Sequence, residues 1–154
     1  MAGNGTSGER FMGYVELAGL DRPFISKAEE RRLLERGISQ FALDPHEARG
    51  LVLYVAQMKD IRLERDVDRR MLPILDRYGG KSKKISKAQF REAAALYNGL
   101  AGGVLSDQEA RIRVKQVMDQ NKFRPKRSMM LSRGWYDKIG KDKKGRAPGP
   151  TVTA

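Results

Sequence analysis

The chain has 154 residues, of which 40% are hydrophobic and 32% are charged, a balance that excludes wholesale disorder. It contains no cysteine, which excludes disulfide bonds and thiolate metal sites. Because 31 Lys and Arg outnumber 19 Asp and Glu, the net charge is +12, and we expect attraction to polyanions.

The N-terminus and the apolar runs indicate where the protein resides. Residues 1–10 are polar and glycine-rich and lack the basic-then-apolar order of a secretory signal. No apolar run is long enough to span a bilayer. We therefore expect a cytoplasmic protein that does not engage a membrane, with a flexible leader over residues 1–10, one domain over 11–144 and a disordered tail over 145–154.

Helix signals begin early and recur through the first half. Residues 11–20 predict one short helix before Pro23. The run Ser26-Lys27-Ala28-Glu29 has the form of a capping box, in which serine and glutamate side chains each accept from the other residue's amide. The inward face of this helix is predicted to hold Leu34, Ile38 and Phe41.

Two more helices complete the first half. Asp44-Pro45-His46-Glu47 predicts a second capping box, with proline at the first helical position. The buried stripe that follows is Ala48, Leu51, Val52 and Val55. A third helix is predicted over residues 64–78, with Val67, Met71, Ile74 and Tyr78 inward. Pro73 is expected to kink or divide it, and Gly79-Gly80 to end it.

The second half repeats these helix-start signals. Ile-Ser-Lys-Ala occurs at residues 25–28 and 85–88, and Glu-Ala-Arg at 47–49 and 109–111. Capping boxes are predicted at Ser86 and Ser106. The inward faces are predicted to hold Phe90, Ala94, Tyr97 and Leu100, then Ala110, Val114, Val117 and Met118, and in a last helix Met130, Leu131, Trp135 and Ile139.

These signals predict an all-α fold without a sheet, since no stretch alternates apolar and polar residues. We expect about six helices in two diverged three-helix repeats, residues 25–84 and 85–144, within one domain.

The sequence offers no enzyme site, metal site or cofactor site. His46 is the only histidine and is expected at the surface, without a partner for zinc. The turns before Ser26 and Ser86 resemble the exit of an EF-hand loop, but they lack the oxygen ligands that calcium needs. Paired acidic residues stand among arginines, where solvated ion pairs explain them. We therefore expect a non-enzymatic protein with no catalytic residue, metal or cofactor.

The basic excess is concentrated in the second half, mostly after Asn121. Cations neutralise phosphates, and exposed aromatic rings stack on bases. The candidate nucleic-acid-binding residues are Lys122, Arg124, Lys126, Arg127, Arg133, Trp135, Tyr136, Lys138, Lys141, Lys143 and Lys144. The competing interpretation is that Phe123 and Trp135 are core residues and the lysines serve solubility.

Two hypotheses of function remain open. The first is an accessory protein that binds nucleic acid, or a nucleoprotein assembly, through its basic second half. The second is an all-α adaptor or scaffold subunit that holds a protein partner between its helices. A helix-turn-helix over residues 26–58 is a weaker DNA-binding candidate, because its second helix presents few groups suited to groove reading.

Overall fold

The structure is a computed structural model that describes residues 5–127 and 134–141. Its fold is all-α, as the sequence predicts. The helices are α1 (Ser7–Ala18), α2 (Lys27–Ser39), α3 (Pro45–Met58), α4 (Glu64–Gly79), α5 (Lys87–Leu100), α6 (Asp107–Gln120) and α7 (Gly134–Asp137), and a 3-10 turn (Gly80–Ser82) follows α4.

Two short strand pairs were not predicted. Strand β1 (Phe24–Ile25) pairs in parallel with β2 (Arg62–Leu63), and β3 (Lys84–Ile85) pairs in parallel with β4 (Arg124–Pro125). The expectation of no sheet is therefore wrong. Two residues are too few to display the alternation that identifies a strand, and partners 38–40 residues apart carry no local signal.

The helix starts follow the predicted capping chemistry with two exceptions. Reciprocal capping boxes are present at Ser26, Ser86 and Ser106. Asp44 instead makes a simple cap, in which its carboxylate accepts from the amide of His46. An unpredicted box at Thr6 begins α1 at Ser7, so the helix reaches into the segment that the sequence suggested to be a flexible leader.

The chain folds as two compact units, Met1–Val67 and Asp68–Ala154. The first contains α1, β1, α2, α3 and β2 in order, and α4, β3, α5, α6 and β4 follow in the same order. Phe11 and Val15 of α1 and the residues 60 positions later, Met71 and Leu75 of α4, are all fully buried. This parallel pairs α4 with α1, whereas the predicted bounds 25–84 and 85–144 place α4 in the first copy, and the internal repeat stays a prediction.

Inside the first unit, the buried face of α2 differs from the predicted one. Leu33 and Gly37 point inward, and the predicted Leu34 and Phe41 are partly buried against the core, whereas Ile38 is exposed. A Cβ atom on Gly37 would lie 2.9 Å from Phe11 and 3.1 Å from Ala48, so α2 packs through a glycine. A sequence pattern identifies a buried face by its large apolar side chains. It does not identify a close contact that depends on a glycine having no side chain.

The helix α4 is continuous across Pro73, so of the two outcomes expected there, a kink or a division, the division does not occur. Pro73 is exposed, while Met71 and Leu75 are buried on the other side of the helix. Pro73 therefore removes a helix hydrogen bond on the exposed side of α4, where solvent is able to satisfy the carbonyl that loses its partner. Within the described part of the chain, no helix is long and apolar enough to cross a membrane.

Candidate nucleic-acid interface

The strand pair β3·β4 brings two basic segments of the second unit side by side. The amide of Arg124 donates to the carbonyl of Lys83 at 2.9 Å, and the amide of Lys126 donates to Ile85 at 2.7 Å. Lys84 and Arg124 are register partners. We call the resulting surface the basic ladder and define it by six exposed residues, Lys81, Lys83, Lys84, Lys122, Arg124 and Lys126.

The basic ladder lacks neutralising acids. Residues 79–87 and 121–127 contain eight Lys and Arg and no Asp or Glu. No ion pair involves these six side chains within the described ranges. Lys83 is engaged differently, since its ammonium donates to the carbonyl of Asn121 at 3.2 Å and lies 5.0 Å from the centre of the Phe123 ring. Like charges on paired strands destabilise a fold, so the ladder is costly to the free protein.

The corresponding strand pair of the first unit is different in charge. Residues 19–27 and 59–65 around β1·β2 contain five basic and three acidic residues. Arg62 forms an ion pair with Asp60 at 3.5 Å, and Lys59 forms one with Glu16 at 3.8 Å. The strand pairing therefore does not require a run of cations, and the basic ladder is a property of the second unit.

A shallow basic pocket lies between α6 and the segment that carries α7. Its volume is about 430 Å³. The described residues that line it are Gln108, Arg111, Trp135, Lys138, Ile139, Gly140 and Lys141. Gly140 has a φ of +79°, and its backbone approaches Ile112 of α6 closely. We call this the α6–α7 pocket. Its lining combines three cations with part of an indole ring, which suits an anion attached to a flat group.

The two aromatic residues of α7 have different roles. Trp135 is half-buried, with its ring 5.4 Å from that of Phe90, and one part of it lines the α6–α7 pocket. Tyr136 is 6% exposed and packs edge-on against Phe90. Its ring is inaccessible to a base, so the expectation that Tyr136 stacks on nucleic acid is wrong. The neighbouring rings of α5 and α7 enclose it.

Polar contacts fix Tyr136 in this position. Its hydroxyl donates to the carboxylate of Asp119, and its backbone carbonyl accepts from the Lys115 ammonium at 3.0 Å. Burial, followed by the hydrogen bond and charge of Asp119, raises the pKa of Tyr136 above its ordinary value. Tyr136 therefore stays protonated as a donor and holds α7 on α6.

The other candidates divide by position. Lys122, Arg124 and Lys126 belong to the basic ladder, and Arg127 is exposed just beyond it. Lys138 and Lys141 are exposed at the α6–α7 pocket. Arg133, Lys143 and Lys144, with Met130 and Leu131, lie outside the described residues. Phe123 is buried, in agreement with its interpretation as a core residue.

Sequence reasoning missed part of this surface. Lys81, Lys83 and Lys84 are not among the predicted binding residues, and Arg111 belongs only to the repeated Glu-Ala-Arg motif. The clustering of lysines before Ser86 was a visible signal. The pairing of these lysines with residues about 40 positions later gives no signal in the sequence, because it is a tertiary contact.

Other chemistry is sparse among residues 5–127 and 134–141. No group of three His, Cys, Asp or Glu there could hold a metal ion. His46 is exposed at the start of α3. Comparisons with protein-family models, with curated proteins and with solved structures found no match to the chain.

Proposed function

We propose that this protein is a non-enzymatic accessory factor that binds nucleic acid, or the nucleic acid of a nucleoprotein assembly, through its second unit. The observation that carries the proposal is the basic ladder. Six exposed cations from two distant segments are fixed next to each other by backbone hydrogen bonds, and no acid is present in either segment.

The ladder suits a phosphate backbone better than a small anion. Lys84 and Arg124 are register partners that strand pairing holds about 4.8 Å apart, and the other four cations lie in the turns and flanking residues beside these two strands. A surface with several cations meets more than one phosphate of a polyanion, and each neutralised phosphate releases counterions. Binding of a polyanion would also reduce the repulsion between the cations of the basic ladder.

The α6–α7 pocket extends the proposed interface with a partly open indole. The accessible part of Trp135 would stack on a base, while Arg111, Lys138 and Lys141 supply positive charge in the same pocket. Stacking on an aromatic ring tolerates any base, and duplex DNA does not expose base faces. We therefore place single-stranded nucleic acid above duplex DNA as the preferred ligand.

A direct test measures fluorescence anisotropy with labelled single-stranded and duplex oligonucleotides. The ladder variant carries Lys84→Gln, Arg124→Gln and Lys126→Gln. Its matched control carries Arg70→Gln, Arg77→Gln and Arg91→Gln, which remove the same charge from exposed helix positions. We expect the ladder variant to lose at least tenfold in affinity and the control to lose much less. Equal losses in both would contradict a localised interface.

The alternative is a protein-binding adaptor, and one feature of the first unit favours it. Leu17 and Met58 are 67% and 64% exposed at the ends of α1 and α3, which the Glu16–Lys59 ion pair brings together. Leu20 is 74% exposed nearby in sequence. A Leu17→Ser, Met58→Ser variant that binds oligonucleotides normally but loses a protein partner would favour the adaptor.

A further inference from the structure

The first unit contains a second basic pocket, separate from the basic ladder. It has a volume of about 250 Å³ and lies among the first turns of α2, α3 and α4. The described residues that line it are Lys27, Glu30, Arg31, Leu34, Arg49 and Arg65. Four of these six side chains are cationic and come from three different helices.

One of the four cations, Arg65, is held in place by a buried acid. Glu30 is 3% exposed, and its carboxylate forms an ion pair with the guanidinium of Arg65. A buried carboxylate needs such a partner, so Arg65 cannot leave without a large energetic cost. The side chain of Arg65 still keeps 34% of its surface exposed. It is therefore a preorganised donor whose remaining N–H groups are available to the pocket.

The backbone around Lys27 is similarly fixed. Its amide donates to the carboxylate of Glu64 at 2.6 Å, and Glu64 is itself buried. Both buried acids, Glu30 and Glu64, are thus engaged by groups of residues that line the pocket. Arg31 and Arg49 are exposed, and neither forms an ion pair within residues 5–127 and 134–141. The mouth of the pocket carries an excess of positive charge.

We propose that this pocket binds a compact phosphate-type oxyanion. Its volume is below that of pockets for drug-sized ligands, so it suits a diphosphate group, and a nucleoside attached to that group would lie outside the pocket. Guanidinium groups pair with phosphate oxygens in a bidentate manner, and the pocket presents three of them with one lysine. The ligand is a free diphosphate or the diphosphate of a nucleotide.

The test follows the amide resonances of α2 in the full chain by NMR during titration with pyrophosphate at constant ionic strength. The wild type should show saturable shifts at Lys27 and Arg31. Arg49→Gln should weaken binding at least tenfold, because it removes a charge-assisted hydrogen bond. Arg111→Gln, at the corresponding position of α6, is the matched control and should leave the affinity at α2 unchanged.

A parallel titration with adenosine diphosphate distinguishes the two sources of the diphosphate. Equal affinities for pyrophosphate and adenosine diphosphate would show that the pocket recognises the diphosphate alone. Tighter binding of adenosine diphosphate would show that the ligand is a nucleotide. The ladder variant should bind pyrophosphate at α2 as the wild type does, so the outcome is independent of the proposed function. Non-saturable shifts, or equal weakening by Arg49→Gln and Arg111→Gln, would overturn the proposal.

Discussion

Gly37 shows how a single missing side chain sets the packing of the first unit. A Cβ at this position would approach the buried Phe11 ring to 2.9 Å. We predict that Gly37→Ala lowers the free energy of unfolding by up to about 2 kcal/mol. The reason is that overpacking costs roughly 1–3 kcal/mol, while the gain in helix propensity is about 1 kcal/mol.

Gly50 on α3 is the matched control for that substitution. No atom lies within 4 Å of a Cβ built there. Gly50→Ala should therefore raise the free energy of unfolding by about 0.5–1 kcal/mol. Urea denaturation measures both values, and destabilisation of similar size at the two glycines would contradict the account of α2 packing.

Tyr136 is a second residue whose contribution to the free energy of unfolding can be measured. Tyr136→Phe removes the hydrogen bond to Asp119 and should lower the free energy of unfolding by about 1 kcal/mol at neutral pH. Because the folded-state pKa is raised, the stabilisation by Tyr136 is complete below its unfolded pKa of about 10 and is lost as pH rises above that value.

Stability curves at increasing alkaline pH test this assignment. The wild type should lose stability more steeply above pH of about 10 than Tyr136→Phe, since only the wild type has this hydroxyl to ionise on unfolding. Parallel alkaline declines would show that Tyr136 titrates similarly in the folded and unfolded protein.

At the scale of elements, the helix starts were predictable because capping is local. Ser86 accepts from the amide of Gln89 at 3.1 Å, and the Gln89 side chain accepts in return from Ser86 at 2.9 Å. Both partners lie within one turn and are visible in the sequence. The strand pairs and the inward face of α2 depend on residues far along the chain, and no local pattern encodes them.

Ser86→Ala tests the cap of α5. It removes one acceptor from the first turn and should lower the free energy of unfolding by about 1 kcal/mol. Ser39→Ala, in the exposed last position of α2, is the control and should have an effect within about 0.5 kcal/mol of zero. Thermal denaturation compares them, and equal effects would argue against the cap.

The internal repeat is a prediction at the scale of the molecule. An experimental structure should allow β1-α2-α3-β2 to superpose on β3-α5-α6-β4, with Ser26 on Ser86 and Glu47 on Glu109. Helix starts that differ by more than one turn, about 5.4 Å, would contradict the duplication.

The candidate interface was only partly predictable from sequence. The basic C-terminal segment was visible as composition, and Lys122, Arg124 and Lys126 are indeed exposed. Composition does not show which distant segment pairs with it, so Lys81, Lys83 and Lys84 were missed. Composition also cannot tell a buried ring from an open one, which is why Tyr136 was assigned to the surface.

The central claim is that the basic ladder contacts phosphates directly. The most direct measurement is the dependence of affinity on salt for the wild type and for the Lys84→Gln, Arg124→Gln, Lys126→Gln variant, each bound to the same duplex DNA. The account predicts a steep fall in affinity for the wild type, and a slope of log affinity against log salt that is shallower by roughly three units in the variant. A wild-type affinity that does not change with salt, or equal slopes for the two proteins, would contradict the claim.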